Sequence, residues 1–347
     1  MNLVYDDFGR TMKAREGDLI ETIEGNVFDV KGFIHPPDRV IAFIRFTPDS
    51  NGDRKKGDTL YRKVYALNER YELLRRRFPQ YLVFDSVFSQ WLCEVPVEVV
   101  KKHYEPAAYL SQLRRKSLPD VLERQALELA QLLHTKSGVS WSALGVSGSL
   151  LVGLHTPKSD IDLIVYGSQS CKKVYNTLSS LVRGLGDNMK SYSKQDLRGL
   201  FDFRSKDTIM EFEDFVRTES RKLLQGKFHE RDYYIRCVKA WNEFPETYGS
   251  VKYKPVGETK LRATVTDDSE MIFTPCTYQI DNTRILQGKC EEDPQEIVSF
   301  RGRFCEQARK GEEVVARGMI ESVKINDAEH FRLLIGNKPS DYMTLAK

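Results

Sequence analysis

The sequence predicts an α+β protein with an N-terminal α+β module, a core of alternating strands and helices, and a β-rich C-terminal region. Three observations carry that expectation. Within residues 119–137, Leu122, Ala126, Leu129 and Leu133 recur at spacings of three and four, the period of one helix face. Two short apolar runs, WSALGVSG and DIDLIVYG, follow this helix and precede a second amphipathic stretch at 170–184. From Lys252 onward the helical period gives way to short strand-like runs parted by glycine and charged turns, the pattern of a small closed or nearly closed antiparallel barrel.

In chain order, residues 18–48 read as strands, because Val, Ile and Phe runs are broken by Gly25, Gly32 and Pro36-Pro37. SNGDRKKGD is a loop by composition, and residues 60–78 read as a basic helix ended by Pro79. YLVFDSVF is strand-like, and residues 97–116 read as helical pieces around Pro106. Residues 1–116 form the first module. The core is expected over 117–200, where Pro119 suits the start of the 119–137 helix and Gly138 its stop. Residues 201–250 read as a helical segment rich in Arg, Lys and aromatics, and 251–347 as the β-rich region.

Composition bounds the function. Hydrophobic residues make up 40% and charged residues 30%, with a net charge of +3, so nucleic-acid binding would have to come from local patches. No run approaches the roughly 20 apolar residues needed to span a bilayer, so no membrane partner is expected. The opening MNLVYDDFGR is acidic and has no apolar core of a signal peptide, which makes a cytoplasmic location the default. The six cysteines contain no CxxC pair, so reduced thiols are expected rather than a disulfide framework. No P-loop and no Ser-His-Asp order appears, and nothing fixes the oligomeric state.

The chemistry concentrates in Gly145–Gly167, GVSGSLLVGLHTPKSDIDLIVYG. Gly148-Ser149 is followed by ten residues, then Asp160-Ile161-Asp162 at the head of an apolar strand. Residues i and i+2 of a strand share a face, so the two aspartates aim at one spot. Paired hard oxygens suit Mg²⁺ or Mn²⁺, which also takes phosphate oxygens and water. Gly148 lets backbone approach a phosphate, Ser149 adds a hydroxyl, and Ser159 lies beside the aspartates as a third nucleotide-binding candidate. A following helix N-terminus would favour the same anion. Either half of the motif alone is commonplace, as a Gly-Ser pair or a solvated turn; their combination and order is far more specific.

This segment resembles the DNA polymerase β-type nucleotidyltransferase superfamily, whose signature is a hydrophobic residue, Gly-Ser, about ten residues, then Asp-hydrophobic-Asp-hydrophobic. Here it reads Val146-Ser147-Gly148-Ser149 and Asp160-Ile161-Asp162-Leu163. More distantly, the whole chain resembles a group of archaeal nucleotidyltransferase-domain proteins. The resemblance implies a mixed sheet with helices, metal on the aspartates, and a nucleoside triphosphate, ATP first, held by Gly148 and Ser149. The expected reaction moves a nucleoside monophosphate to an acceptor hydroxyl and releases pyrophosphate.

The superfamily usually adds a third carboxylate on a later strand, which this sequence does not present cleanly. One candidate set is Asp267, Asp268 and Glu270, of which Asp268 is the metal-ligand candidate; a polar β-turn, which the DDS sequence strongly favours, is the plainer reading. The other is Glu211 and Glu213, which an exposed helix face explains. Three basic clusters suggest RNA as acceptor: Arg54 to Lys63, Arg75-Arg76-Arg77, and Arg217 to Arg231 with Tyr233, Tyr234 and Trp241. Solvated helix faces are the plainer reading of each. Two rival functions follow: a non-enzymatic RNA-binding protein on a degenerate nucleotidyltransferase fold, or a nucleotidyltransferase that modifies a protein or small molecule.

Overall fold

The core helix Val121–Ser137 starts where Asp120 closes a capping box with Glu123, and stops where Gly138 adopts a left-handed φ of 68°. Its buried face is Leu122, Ala126, Leu129, Ala130 and Leu133, the face expected from the sequence. It packs on a five-stranded mixed sheet in a computed structural model that describes residues 4–5, 11–184, 188–205, 207–288 and 292–347. The sheet order is Leu144–Val146, Ile161–Tyr166, Arg231–Val238, Gln225–Phe228, Met189–Lys190. Ile161–Tyr166 runs antiparallel to the first and parallel to Arg231–Val238. A second helix, Ser168–Arg183, buries Cys171, Val174, Leu178 and Leu181.

The N-terminal residues form an eight-stranded sheet whose main path joins Val100–Tyr104, Leu19–Thr22, Val27–Val30, Arg39–Pro48, Thr59–Lys63 and Arg54–Lys56 by antiparallel pairing. Its side chains Leu19, Val27, Phe46, Tyr61 and Tyr104 share one apolar cluster with Leu151, Val152 and Leu154 of the Gly-Ser segment. The boundary expected at residue 116 therefore crosses a common core. The chain divides instead into one unit of Met1–Val83, Trp91–Lys190 and Leu223–Tyr248, and a second of Phe84–Gln90, Ser191–Lys222 and Gly249–Lys347.

Three local expectations change. Residues 60–78 are not one helix: Thr59–Lys63 is a strand and the helix is Leu67–Arg77. Residues 97–116 include the strand Val100–Tyr104 before the helix Pro106–Leu113. The helical reading of 201–250 holds for Phe212–Glu219 and for the end of Lys194–Arg204, but Gln225–Phe228 and Arg231–Val238 are strands. Tyr233, Ile235 and Cys237 alternate inward with Asp232, Tyr234 and Arg236, a period of two that the density of charges disguises.

In the second unit, Val251–Asp267, Cys276–Gln287, Glu296–Ser299, Ala328–Leu334 and Glu313–Ile325 pair in that order, and Glu313–Ile325 pairs back to Val251–Asp267. Tyr342–Leu345 adds to Glu313–Ile325. Cys93, Cys171, Cys237, Cys276 and Cys305 are buried free thiols, and Cys290 lies outside the described residues. Among the described residues, no helix is long and apolar enough to cross a membrane.

Candidate active site

Gly148 has a φ of 64°, and a Cβ added there would stand 1.9 Å from the Asp162 carboxylate oxygen Oδ2. Only glycine allows both the left-handed turn and the close approach. The turn is fixed by a bond from Ser147 N–H to the Asp162 carbonyl (2.9 Å) and one from Ser147 Oγ to the Gly17 carbonyl (2.6 Å). The helix that follows, Gly148–Leu151, is a single turn, so its dipole is short and the expected helix-terminus contribution to anion binding is small.

Asp160 and Asp162 emerge beside this turn. Neither carboxylate makes a hydrogen bond or ion pair with a described residue. Burial, then the neighbouring charge of Asp160, pushes the Asp162 carboxyl up to about 7, while Arg45, Lys63 and Arg236 oppose the shift. The Ser149 side chain is buried, and its hydroxyl makes no hydrogen bond with a described residue. The structure therefore brings Gly148, Ser149, Asp160 and Asp162 together. Ser159 lies next to them, but its hydroxyl accepts from Thr156 N–H at 2.9 Å and so shapes the loop.

That loop is braced from two sides. Arg54 donates to the Leu154 carbonyl (2.7 Å), and Arg231 donates to the carbonyls of Pro157 and Ser159 (both 2.8 Å). His155 meets the Asp120 carboxylate at 2.7 Å. Residues that read as RNA-binding cations in the sequence thus hold the loop connecting the two motif halves.

Asp268 lies in the second unit, in the turn after Val251–Asp267, where Asp267 Oδ1 accepts from Ser269 N–H at 2.7 Å. Glu211 and Glu213 lie in the second unit at the start of Phe212–Glu219. Sequence reasoning missed Asp232. Parallel pairing sets Tyr234 beside Asp162 and Tyr233 beside Ile161, and Asp232 and Asp160 each come one residue before the first of these pairs, at the same end of the two strands. Asp232 is exposed and pairs with Lys227 at 2.9 Å. Reading DYYIRCV as an alternating strand would have found it.

Arg236 belongs to a buried charge network. Two residues beyond Tyr234, and so on its face of the strand, it pairs with the fully buried Glu16. Burial alone would lower its pKa, but Glu16 and then Asp29 outweigh burial and hold it above the usual arginine range. Lys31 bridges Glu16 (3.2 Å) and Asp29 (2.9 Å). Burial opposes the charge of Asp29, yet Lys31, Arg236 and Arg45 keep its carboxyl well below the usual range.

Among the described residues, no group of three or more His, Cys, Asp or Glu side chains is arranged to hold a metal ion. The donor set is two carboxylates that pair with no described residue, and the Asp162 carboxylate lies where a Cβ on Gly148 would stand. Two hard oxygens fit a divalent cation that completes its shell with phosphate oxygens and water.

No protein-family model matches the chain, and no solved structure matches it. It is 30% identical over 334 residues to the uncharacterized protein MJ1086 of Methanocaldococcus jannaschii, an alignment that covers 93% of this chain and 95% of that protein.

Proposed function

We propose, for a chain that belongs to the same family as the Methanocaldococcus jannaschii protein, that the Gly148–Asp162 site is a metal-dependent nucleotidyltransferase centre. It would move a nucleoside monophosphate from a triphosphate, ATP first, to an acceptor hydroxyl and release pyrophosphate. The observation that carries this is a pair of carboxylates with no partner among the described residues, one of them, Asp162, packed on a glycine turn that a side chain would block. The resemblance of the motif to the polymerase β-type superfamily, and the mixed sheet beneath it, support a core of that type. The circuit of pairings in the second unit supports the barrel reading of the C-terminal region.

Asp160 and Asp162 would hold Mg²⁺ or Mn²⁺, with Asp232 the candidate third carboxylate; such an ion neutralises phosphate charge and activates the attacking oxygen. The chain's own part is positioning and charge. Gly148 would admit the phosphates to the backbone, and Ser149 would offer a hydroxyl that bonds to no described residue. The acceptor oxygen forms its bond to the α-phosphorus as the α–β bridging bond breaks; pyrophosphate leaves with the electron pair, and the acceptor proton passes to water.

RNA is the acceptor we favour, because Arg75, Arg76 and Arg77 stand exposed in a row at the end of Leu67–Arg77. A non-enzymatic RNA-binding protein is the second reading, favoured by the lack of a three-carboxylate group among the described residues.

The test is transfer of label from each NTP to bulk small RNA with Mg²⁺ or Mn²⁺, comparing wild type with Asp160→Asn and Asp162→Asn. The expected outcome is transfer by wild type and a loss of about 10²-fold or more in either variant, the scale of removing one electrostatic group at a reacting phosphate. If all three are silent yet bind RNA with equal affinity and a steep salt dependence, the second reading replaces the first.

A further inference from the structure

The basic stretch from Arg54 to Lys63 does not act as one patch. Arg62 pairs with Asp49 (3.1 Å) and Glu69, Lys56 with Glu21 (2.8 Å), and Arg54 is taken by the loop. Lys55 is exposed, and among the half-buried cations of the stretch Lys63 is the exception. Its side chain makes no hydrogen bond or ion pair with a described residue, and the same is true of the Arg45 side chain. Both cations lie over the Tyr65 ring, at 5.2 Å for Arg45 and 6.0 Å for Lys63.

The backbone explains their position. Pairing between Arg39–Pro48 and Val27–Val30 jumps from Phe46↔Val27 to Ile44↔Phe28, which leaves Arg45 in a β-bulge. A bulge re-aims the side chain it carries and recurs beside active sites. Lys63 stands opposite Phe46 on the next strand. Lys63 is within electrostatic reach of Arg45, Asp160, Asp162 and Arg54. Burial, then the charge of Arg45, pulls its pKa down, while the two aspartates hold it up.

Charge arithmetic gives these two cations a role. Arg236 is answered by Glu16, and Arg54 by Asp53 at 3.9 Å. A divalent cation on Asp160 and Asp162 brings that pair to zero net charge. Arg45 and Lys63 then leave about two positive charges unanswered in a half-buried site, an arrangement that costs free energy without an anion. We propose that Arg45 and Lys63, carried by the N-terminal sheet, form a clamp for the β- and γ-phosphates of the triphosphate and for the pyrophosphate that leaves. The clamp rests on the nucleotidyltransferase reading for its metal, and it makes the N-terminal sheet a wall of the substrate site rather than an RNA-binding appendage.

The test is calorimetric titration of the full chain with inorganic tripolyphosphate and MgCl₂, with label transfer to RNA measured separately. Wild type is expected to bind, and Lys63→Met and Arg45→Met each to weaken binding by about tenfold or more, the scale of a charge-assisted bond. Lys63→Arg is expected to recover most of the loss. Wild-type affinity in both Met variants overturns the clamp even if transfer is active, and so does transfer without tripolyphosphate binding. Binding that needs Lys63 and Arg45 without any transfer upholds the clamp and removes the transferase reading instead. If a Met variant does not fold, amine acetylation of wild type decides. Slower acetylation of Lys63 with tripolyphosphate supports the clamp, and an unchanged rate overturns it.

Discussion

At the scale of single residues, Gly148 and Asp162 are coupled by contact. Gly148→Ala places a methyl where Asp162 Oδ2 stands and holds alanine at a positive φ. The expected cost is about 1–3 kcal/mol of stability together with loss of nucleotide binding, read by urea denaturation and nucleotide titration. Binding retained with the carboxylate displaced would show that the turn is not part of the site. Asp162 itself gives a pH prediction for metal-free protein. Its folded pKa, about 7, lies above the usual aspartate value of about 3.9. The folded state therefore holds this proton more tightly than the unfolded chain does. Stability from this group is present at low pH and lost as pH rises from about 4 to about 7. Asp162→Asn removes that loss, so its melting temperature relative to wild type climbs over this window and levels off above it. A gain of about 2–4 °C per kcal/mol relieved is the expected scale. Equal differences at pH 5 and pH 8 would refute the shift.

At the scale of elements, the aspartate strand was legible because its apolar run, its glycines and its paired carboxylates agree with one another. The helix Val121–Ser137 was legible for the same reason, with cap, stripe and stop in register. The strand Arg231–Val238 was not. Arg231, Asp232 and Arg236 interrupt its apolar content; Arg231 and Arg236 owe their places to partners distant in sequence, Pro157 with Ser159 and Glu16, and Asp232 pairs across a hairpin with Lys227. Lys63 and Arg45 were illegible as site residues because a bulge and a sheet register, not a local motif, bring them near Asp160 and Asp162. The Glu16–Arg236 pair supplies a test of these long-range ties. Arg236→Met leaves the fully buried Glu16 with Lys31 as its remaining cation and is expected to cost up to about 3–5 kcal/mol, the scale of a broken buried pair. Adding Glu16→Gln should recover part of that loss, as the double-variant cycle would show. Strict additivity of the two changes would mean the pair is not coupled.

At the scale of the whole molecule, the first unit draws on three separate stretches of chain. A chain beginning at residue 117 would expose Leu151, Val152 and Leu154, which now share a core with the N-terminal sheet. Each would forfeit about 1.5–3 kcal/mol of burial. The expected outcome is a chain that binds hydrophobic dye and melts without a cooperative transition; a sharp melt would show that the core stands alone. The parallel neighbour of the aspartate strand also has a consequence for synthesis. Ile161–Tyr166 leaves the ribosome well before Arg231–Val238, the strand that flanks it and supplies the loop brace. Until that later segment emerges, the aspartate strand is paired only with Leu144–Val146, and the growing chain displays its other edge to its neighbours. Translation slowed between these two segments would lengthen that interval, so the yield of soluble protein should depend on the speed at which residues 167–238 are made.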